Sequence, residues 1–227
     1  MNLHPLILEC NEMLKQQGLD YAFCGGHALD IYLGHTSRPH GDIDLSAWRE
    51  DRNDIITFML SQGWLVYEAM GDGKVHLITN TDDQKLVRLN IFCVREGCSF
   101  FHVDPLENGI FLCEIDHVEQ SHLDYIEFLF NKRDSSSFIY SRNHAIRLPL
   151  DKAIHHHGEL AFFAPELVLL YKSTDLGRLV NEEDYKAVLP HLAFESREWL
   201  RNALVTAFPD GHKWIRHLEK ENGALAK

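Results

Sequence analysis

Apolar positions along the chain follow three successive patterns. Leu6, Ile7, Cys10, Met13 and Leu14 recur at helical spacing and stop before Gly18, which predicts an amphipathic N-terminal helix. A short apolar run at 21–24 reads as a strand, Ala28, Ile31 and Tyr32 give a helix over about 27–33, and a further helix over about 51–61 ends at Gly63. From Trp64 onward the pattern turns to short β-rich runs at 65–69, 75–79, 86–94, 100–103, 110–115, 123–130 and 138–140. Turn signals such as Gly71-Asp72-Gly73 and Asn108-Gly109 separate them, so a mixed, mainly antiparallel sheet is the economical arrangement. Beyond Pro149 the periodicity becomes helical: Ala164-Pro165-Glu166 opens one helix, and others are expected near 182–189, 196–207 and 212–220. The change of pattern suggests a β-rich part over 1–150 and a helical part over 151–227, with a ligand cleft between them. No internal repeat or low-complexity tract interrupts this order.

Between the first strand and the third helix stands the most distinctive local feature. Gly25-Gly26-His27-Ala28 lies at a strand-to-helix turn, and nine residues later comes Arg38-Pro39-His40-Gly41-Asp42-Ile43-Asp44-Leu45. Glycine lets the backbone approach a ligand closely, and the N–H groups that open a helix face an anion. Gly25, Gly26 and His27 are therefore candidates for phosphate contacts. In an extended strand Asp42 and Asp44 share one face while Ile43 and Leu45 enter the core. Paired carboxylates suit Mg²⁺, a hard cation held by one or two carboxylates plus the phosphates of a substrate.

This combination resembles the signature of the polymerase-beta-like nucleotidyltransferase superfamily, in the branch of the aminoglycoside and lincosamide adenylyltransferases. There a Gly-Gly-x-Ala helix start precedes Arg-x-x-x-Asp-Ile-Asp-Leu, here Arg38 to Leu45. The resemblance implies an α+β fold, a mixed β-sheet flanked by helices with a helical C-terminal region. It also implies Mg²⁺-dependent transfer of a nucleoside monophosphate, AMP from ATP, to a hydroxyl of a small polar acceptor. Two Mg²⁺ ions would be held by Asp42, Asp44 and a third carboxylate from a later strand. Glu127, a charged residue in the otherwise strongly apolar run 123–130, is the candidate, since isolated acids are expensive to bury without a cation. A rival position, Asn90 in the run 86–94, lacks a carboxylate, and Glu127 alternatively reads as an edge-strand acid facing water. Lys172 matches a second signature that brings a basic residue to the nucleotide phosphates. On periodicity alone it is equally a snorkelling surface lysine. Arg38 is placed to meet a phosphate or to pair with Asp44; His40 is expected to serve packing, and Asp184 structure. The alternative to an acceptor-modifying enzyme is a regulatory nucleotide-binding module or an antitoxin-like protein nucleotidyltransferase.

Composition narrows the partners. A formal net charge of −12 over 227 residues argues against non-specific nucleic-acid binding and favours a small or cationic partner. No run approaches the roughly 18 apolar residues of a membrane span, and no basic leader precedes an apolar segment, so a cytoplasmic location without a membrane partner is expected. The five cysteines are odd in number and irregularly spaced, which suggests reduced, buried thiols instead of a disulfide framework or a zinc site. His155-His156-His157 cannot share one face of an element and is expected in an exposed loop.

Overall fold

The computed structural model describes residues 2–87, 90–116 and 118–225. In chain order the elements are α1 (Pro5–Lys15), β1 (Tyr21–Phe23), α2 (Gly25–Leu33), β2 (Asp44–Trp48), α3 (Arg52–Ser61), β3 (Leu65–Gly71), β4 (Lys74–Ile78), β5 (Ile91–Val94), β6 (Phe101–Pro105) and β7 (Ile110–Ile115). They continue with β8 (Tyr125–Arg133), β9 (Ser137–Ile139), β10 (Arg147–Pro149), α4 (Leu150–Ala153), β11 (Ile154–His157), β12 (Leu160–Phe163), α5 (Pro165–Lys172), α6 (Leu179–Val188), α7 (Phe194–Ala207) and α8 (Lys213–Leu225). The fold is α+β, as expected.

One mixed sheet organises the chain, with strand order β11-β12-β1-β2-β8-β5-β3-β4-β7-β6 and the β9–β10 hairpin attached to β8. β1 runs parallel to β12 and β2 parallel to β8, while the other pairings along that order are antiparallel. The predicted turns fall where expected. Asp72 and Gly73 (φ 51° and 67°) close β3–β4, and Asn108 and Gly109 (φ 58° and 72°) close β6–β7, residue types that adopt positive φ at low cost.

Three sequence expectations are corrected. The run 86–94 contributes only Ile91–Val94 as a strand, and residues 88 and 89 lie outside the described residues. His155-His156-His157 belongs to edge strand β11, paired with β12, where His155 packs edge-on against Phe162 and the next two histidines are exposed. An edge strand can carry three histidines because it has a neighbour on one side only, and here its end at His156 and His157 is open to water. The sheet therefore does not end near residue 150: β11 and β12 extend it beside β1, and the purely helical part begins at Pro165.

Buried apolar residues from Leu6 to Leu218 form one continuous core, and a smaller cluster of Tyr67, Val75, Val94, Phe100, Phe101 and Tyr125 fills the far end of the sheet. Cys10, Cys24 and Cys93 are buried free thiols, as expected of reduced cysteines. Among the described residues, no helix is long and apolar enough to cross a membrane.

Helix α8 is anchored by Trp214, which stacks on Tyr185 of α6 (ring centroids 4.1 Å apart, planes 7° apart) and donates its indole N–H to Glu182 Oε2 at 2.8 Å. Truncating a fully buried tryptophan removes its apolar area and leaves a cavity. Trp214→Ala should cost about 3–5 kcal/mol in urea denaturation; a cost under about 1 kcal/mol would show that α8 contributes little to the core.

Candidate active site

Parallel pairing of β2 with β8 sets Asp44 opposite Glu127, and β5 pairs on the other side so that Phe92 faces Glu127. The ladder reaches one residue further back, because the Glu127 N–H donates to the Ile43 carbonyl at 2.9 Å. Asp42 precedes β2 and is not itself in the strand, yet the alternation holds through it: Ile43 and Leu45 are buried, and Asp42 and Asp44 line the opposite side. Asp42, Asp44 and Glu127 meet in a cleft of about 620 Å³ whose other wall includes Phe163, Val168, Tyr171 and Lys172. Glu127 therefore stands beside the aspartates. Asn90 is its partner, its side-chain amide donating to Glu127 Oε1 at 2.6 Å.

The grouping is electrostatically costly. Burial, then the charges of Asp42 and Glu127, hold the Asp44 carboxyl well above the usual carboxylate range, against the opposing pull of Lys172 and Arg178. Burial pushes Glu127 up to about 7, with Asp42 adding to the shift and the Asn90 hydrogen bond countering it. Three half-buried carboxylates that line one cleft could hold a cation, and all-oxygen donors fit Mg²⁺. Lys172, Arg49, Arg142 and Arg178 line the same cleft, so cationic and acidic groups share it. Of these only Lys172 was anticipated from sequence; Arg49 follows directly on β2 and Arg178 opens α6, positions that carry no periodic signal.

The two glycines serve packing as well as backbone freedom. Gly25 has φ +60°, and a Cβ there would overlap Asp44 Oδ2 and lie 2.9 Å from Asp44 Cγ. A Cβ at Gly26 would run into the His40 ring and come within 2.8 Å of Arg38 Nη2. Helix α2 thus starts at Gly25, earlier than predicted, and both glycines sit inside its first turn. Gly25 lines the cleft. Gly26, His27 and Arg38 are not among its lining residues. His27 is buried with its ring 4.3 Å from that of His40, so its side chain is turned from the cleft into the protein.

Arg38 is instead held by Asp184 of α6, which accepts from its Nε at 3.0 Å and its Nη2 at 3.1 Å. Lys172 Nζ lies 2.8 Å from the same carboxylate. Burial opposes ionisation of Asp184, but the two cations outweigh it and hold its carboxyl below the usual range. Asp184 is structural, as expected, and in a particular way: it ties the loop after α2 to the helices beyond the sheet.

A protein-family model described as aminoglycoside-2''-adenylyltransferase matches residues 6–127, more than half of the chain and the whole path from α1 to the third carboxylate. The chain belongs to this family. It is a nucleotidyltransferase. No curated protein matches it in sequence. Among solved structures it is similar over nearly its whole length to the solution structure of antibiotic-resistance factor ANT(2'')-Ia, with 16% identity, a TM-score of 0.51 and coverage of 95% of this chain and 96% of that one. The lincomycin-bound crystal structure of lincosamide antibiotic adenylyltransferase LnuA also matches, at 12% identity and a TM-score of 0.48 over 83% of this chain and 99% of that one. The first likeness supports the fold; the second is too distant to add to it.

Two predictions follow from this nucleotidyltransferase's acidic cluster and its helix start. Glu127 and Asp44 bind protons more tightly folded than unfolded, so their contribution to metal-free stability falls as pH rises from the ordinary carboxylate range to about 7 for Glu127. Asp44→Asn should therefore raise the metal-free Tm, and the gain should be larger at about pH 8 than at about pH 5. A pH-independent difference in calorimetry would remove the repulsion from the account. Gly26→Val should lower stability by about 1–3 kcal/mol through overpacking against His40 and Arg38; chemical denaturation at wild-type midpoint would show that the helix start has room to spare.

Proposed function

We propose that the enzyme transfers AMP from ATP to a hydroxyl of a cationic aminoglycoside, with Mg²⁺ held by Asp42, Asp44 and Glu127. The observation that carries this reading is the in-register pair Asp44–Glu127, joined by Asp42 in a cleft that Lys172 and Arg178 also line. The family description supports adenylyl transfer to an aminoglycoside, and the net charge of −12 favours approach of a polycation. Five free cysteines fit a reducing cytoplasm, where ATP is available.

The chemistry follows from these two sets of groups. The acceptor hydroxyl oxygen attacks the α-phosphorus, a new P–O bond forms, and the bond to the bridging oxygen breaks so that pyrophosphate leaves. Mg²⁺, when bound, offsets the charge on the entering and leaving oxygens. Asp42 and Asp44 would hold that ion, and Glu127, in register with Asp44, is the carboxylate placed to take the hydroxyl proton. Lys172, Arg142 and Arg178 are disposed to hold the triphosphate and then the departing pyrophosphate. Gly25 keeps the helix start close to Asp44, so the backbone N–H groups of the first turn of α2 face the phosphate side.

The deciding experiment is pyrophosphate release from each nucleoside triphosphate, with Mg²⁺, across panels of aminoglycosides and lincosamides. ATP with an aminoglycoside should give turnover; release only with lincosamides would reassign the acceptor, and nucleotide binding without release to any acceptor would favour a regulatory module. Glu127→Gln should retain nucleotide binding by calorimetry while turnover falls about 10²–10⁴-fold, the usual contribution of a general base. Unchanged kcat in that variant would take Glu127 out of the mechanism.

A further inference from the structure

A buried cluster of two histidines and an aspartate lies between α2 and the loop before β2, and the proposed reaction does not use it. His27 and Asp30 are three residues apart on α2, hence on one face of the helix. His40, from the loop before β2, closes over them: its Nε2 is 2.7 Å from Asp30 Oδ2, and its ring centroid is 4.3 Å from that of His27. One ligand atom from each residue lies within 4.8 Å of the others, and among the described residues no other such set of histidines, cysteines and acids occurs. All three side chains are buried: His27 is 3% exposed, Asp30 0% and His40 6%.

Two details distinguish this from an ordinary buried histidine–aspartate pair. His27 Nδ1 is buried without a hydrogen-bond partner, which costs about 1–3 kcal/mol unless something occupies it. The other carboxylate oxygen of Asp30 is fixed from outside, accepting from the Ser37 N–H at 2.9 Å and the Ser37 hydroxyl at 2.6 Å. Such outer contacts orient the carboxylate of a metal site. Burial, with His40 close by, drives His27 down to about 3 and keeps it neutral, the form that ligates. The nearby Arg38 guanidinium opposes a cation, but Asp184 counters its charge through two hydrogen bonds.

We propose that His27, Asp30 and His40 form a site for a divalent transition metal, Zn²⁺ by preference, separate from the carboxylate site for Mg²⁺. Two imidazoles and one carboxylate are donors that Zn²⁺ takes with three protein ligands and an open fourth position. Mg²⁺, which prefers oxygen and dehydrates reluctantly, is poorly served by them. The bound ion takes the place of the His40–Asp30 hydrogen bond and fastens the first turns of α2 to the loop that carries Arg38 and leads into Asp42.

The test uses the full-length protein in excess Mg²⁺, titrated with Zn²⁺ by calorimetry and with Co²⁺ by visible absorption. One saturable equivalent, the intense bands of four-coordinate Co²⁺ and a raised Tm are expected. His27→Phe, which keeps a ring of similar size, should abolish the equivalent, and Ser37→Ala should weaken it about 10–100-fold. The site can also be located without a variant: in ¹⁵N-histidine-labelled wild type, Zn²⁺ should shift the ring nitrogens of His27 and His40. Absence of a saturable equivalent, its survival in folded His27→Phe, or shifts confined to His155, His156 and His157 would overturn the proposal.

Discussion

Repulsion among half-buried carboxylates is the constraint around which the cleft is arranged. Asp44 and Glu127 stand side by side because β2 and β8 run parallel in register, and Asp42, just before β2, lines the same cleft. A shift of one residue in that register would send Glu127 to the other face of the sheet. What holds the register is apolar: Ile43, Leu45, Ile126 and Phe128 are essentially buried on the side opposite the acids. The same alternation that feeds the core thus aims the charges into the cleft, and the core sustains a cluster that would otherwise drive the strands apart.

The basic half of the cleft depends on a different device. Lys172 comes from α5, beyond the sheet, and must be held at a fixed height above acids carried by strands from the first half of the chain. Asp184 does this by accepting two hydrogen bonds from Arg38 and pairing with Lys172, a buried carboxylate satisfied on both oxygens. Removing one member of so enclosed a network leaves uncompensated charge, so such a cluster specifies geometry more than it adds stability. Arg38 consequently acts at one remove from the cleft: its guanidinium anchors Asp184, and Asp184 positions the lysine.

Legibility of the sequence followed the range of the interactions involved. Elements with strong local periodicity or turn chemistry, such as α1, the hairpin closed at Asn108-Gly109 and the helix that opens at Pro165, were readable because neighbours in sequence decide them. Glu127 was readable as an acid between apolar neighbours at 125–130, a local contradiction that marks a candidate site. What escaped was decided at long range. β12 pairs with β1 across more than a hundred residues and carries β11 with it, and Arg49 and Arg178 reach the cleft through turns with no pattern to mark them. His27 was misplaced for the opposite reason: the helix start that makes its N–H suited to a phosphate points its side chain into the protein, and backbone and side chain of one residue need not share a task.

That separation explains why the start of α2 is so rich in small residues. Its outer side meets Asp44 and its inner side meets His40 and Arg38, and a Cβ at Gly25 or Gly26 would collide with one or the other. Glycine in a helix costs about 1 kcal/mol relative to alanine, so two in the first turn weaken α2 locally. The loss is offset by what the close approach permits: β1, β2 and α2 come together tightly enough for the Cys24 N–H to donate to the Asp44 carbonyl at 2.9 Å. Asp44 is thereby fixed by its own backbone, and its side chain, packed against the α2 start, has little freedom left to move away from Glu127.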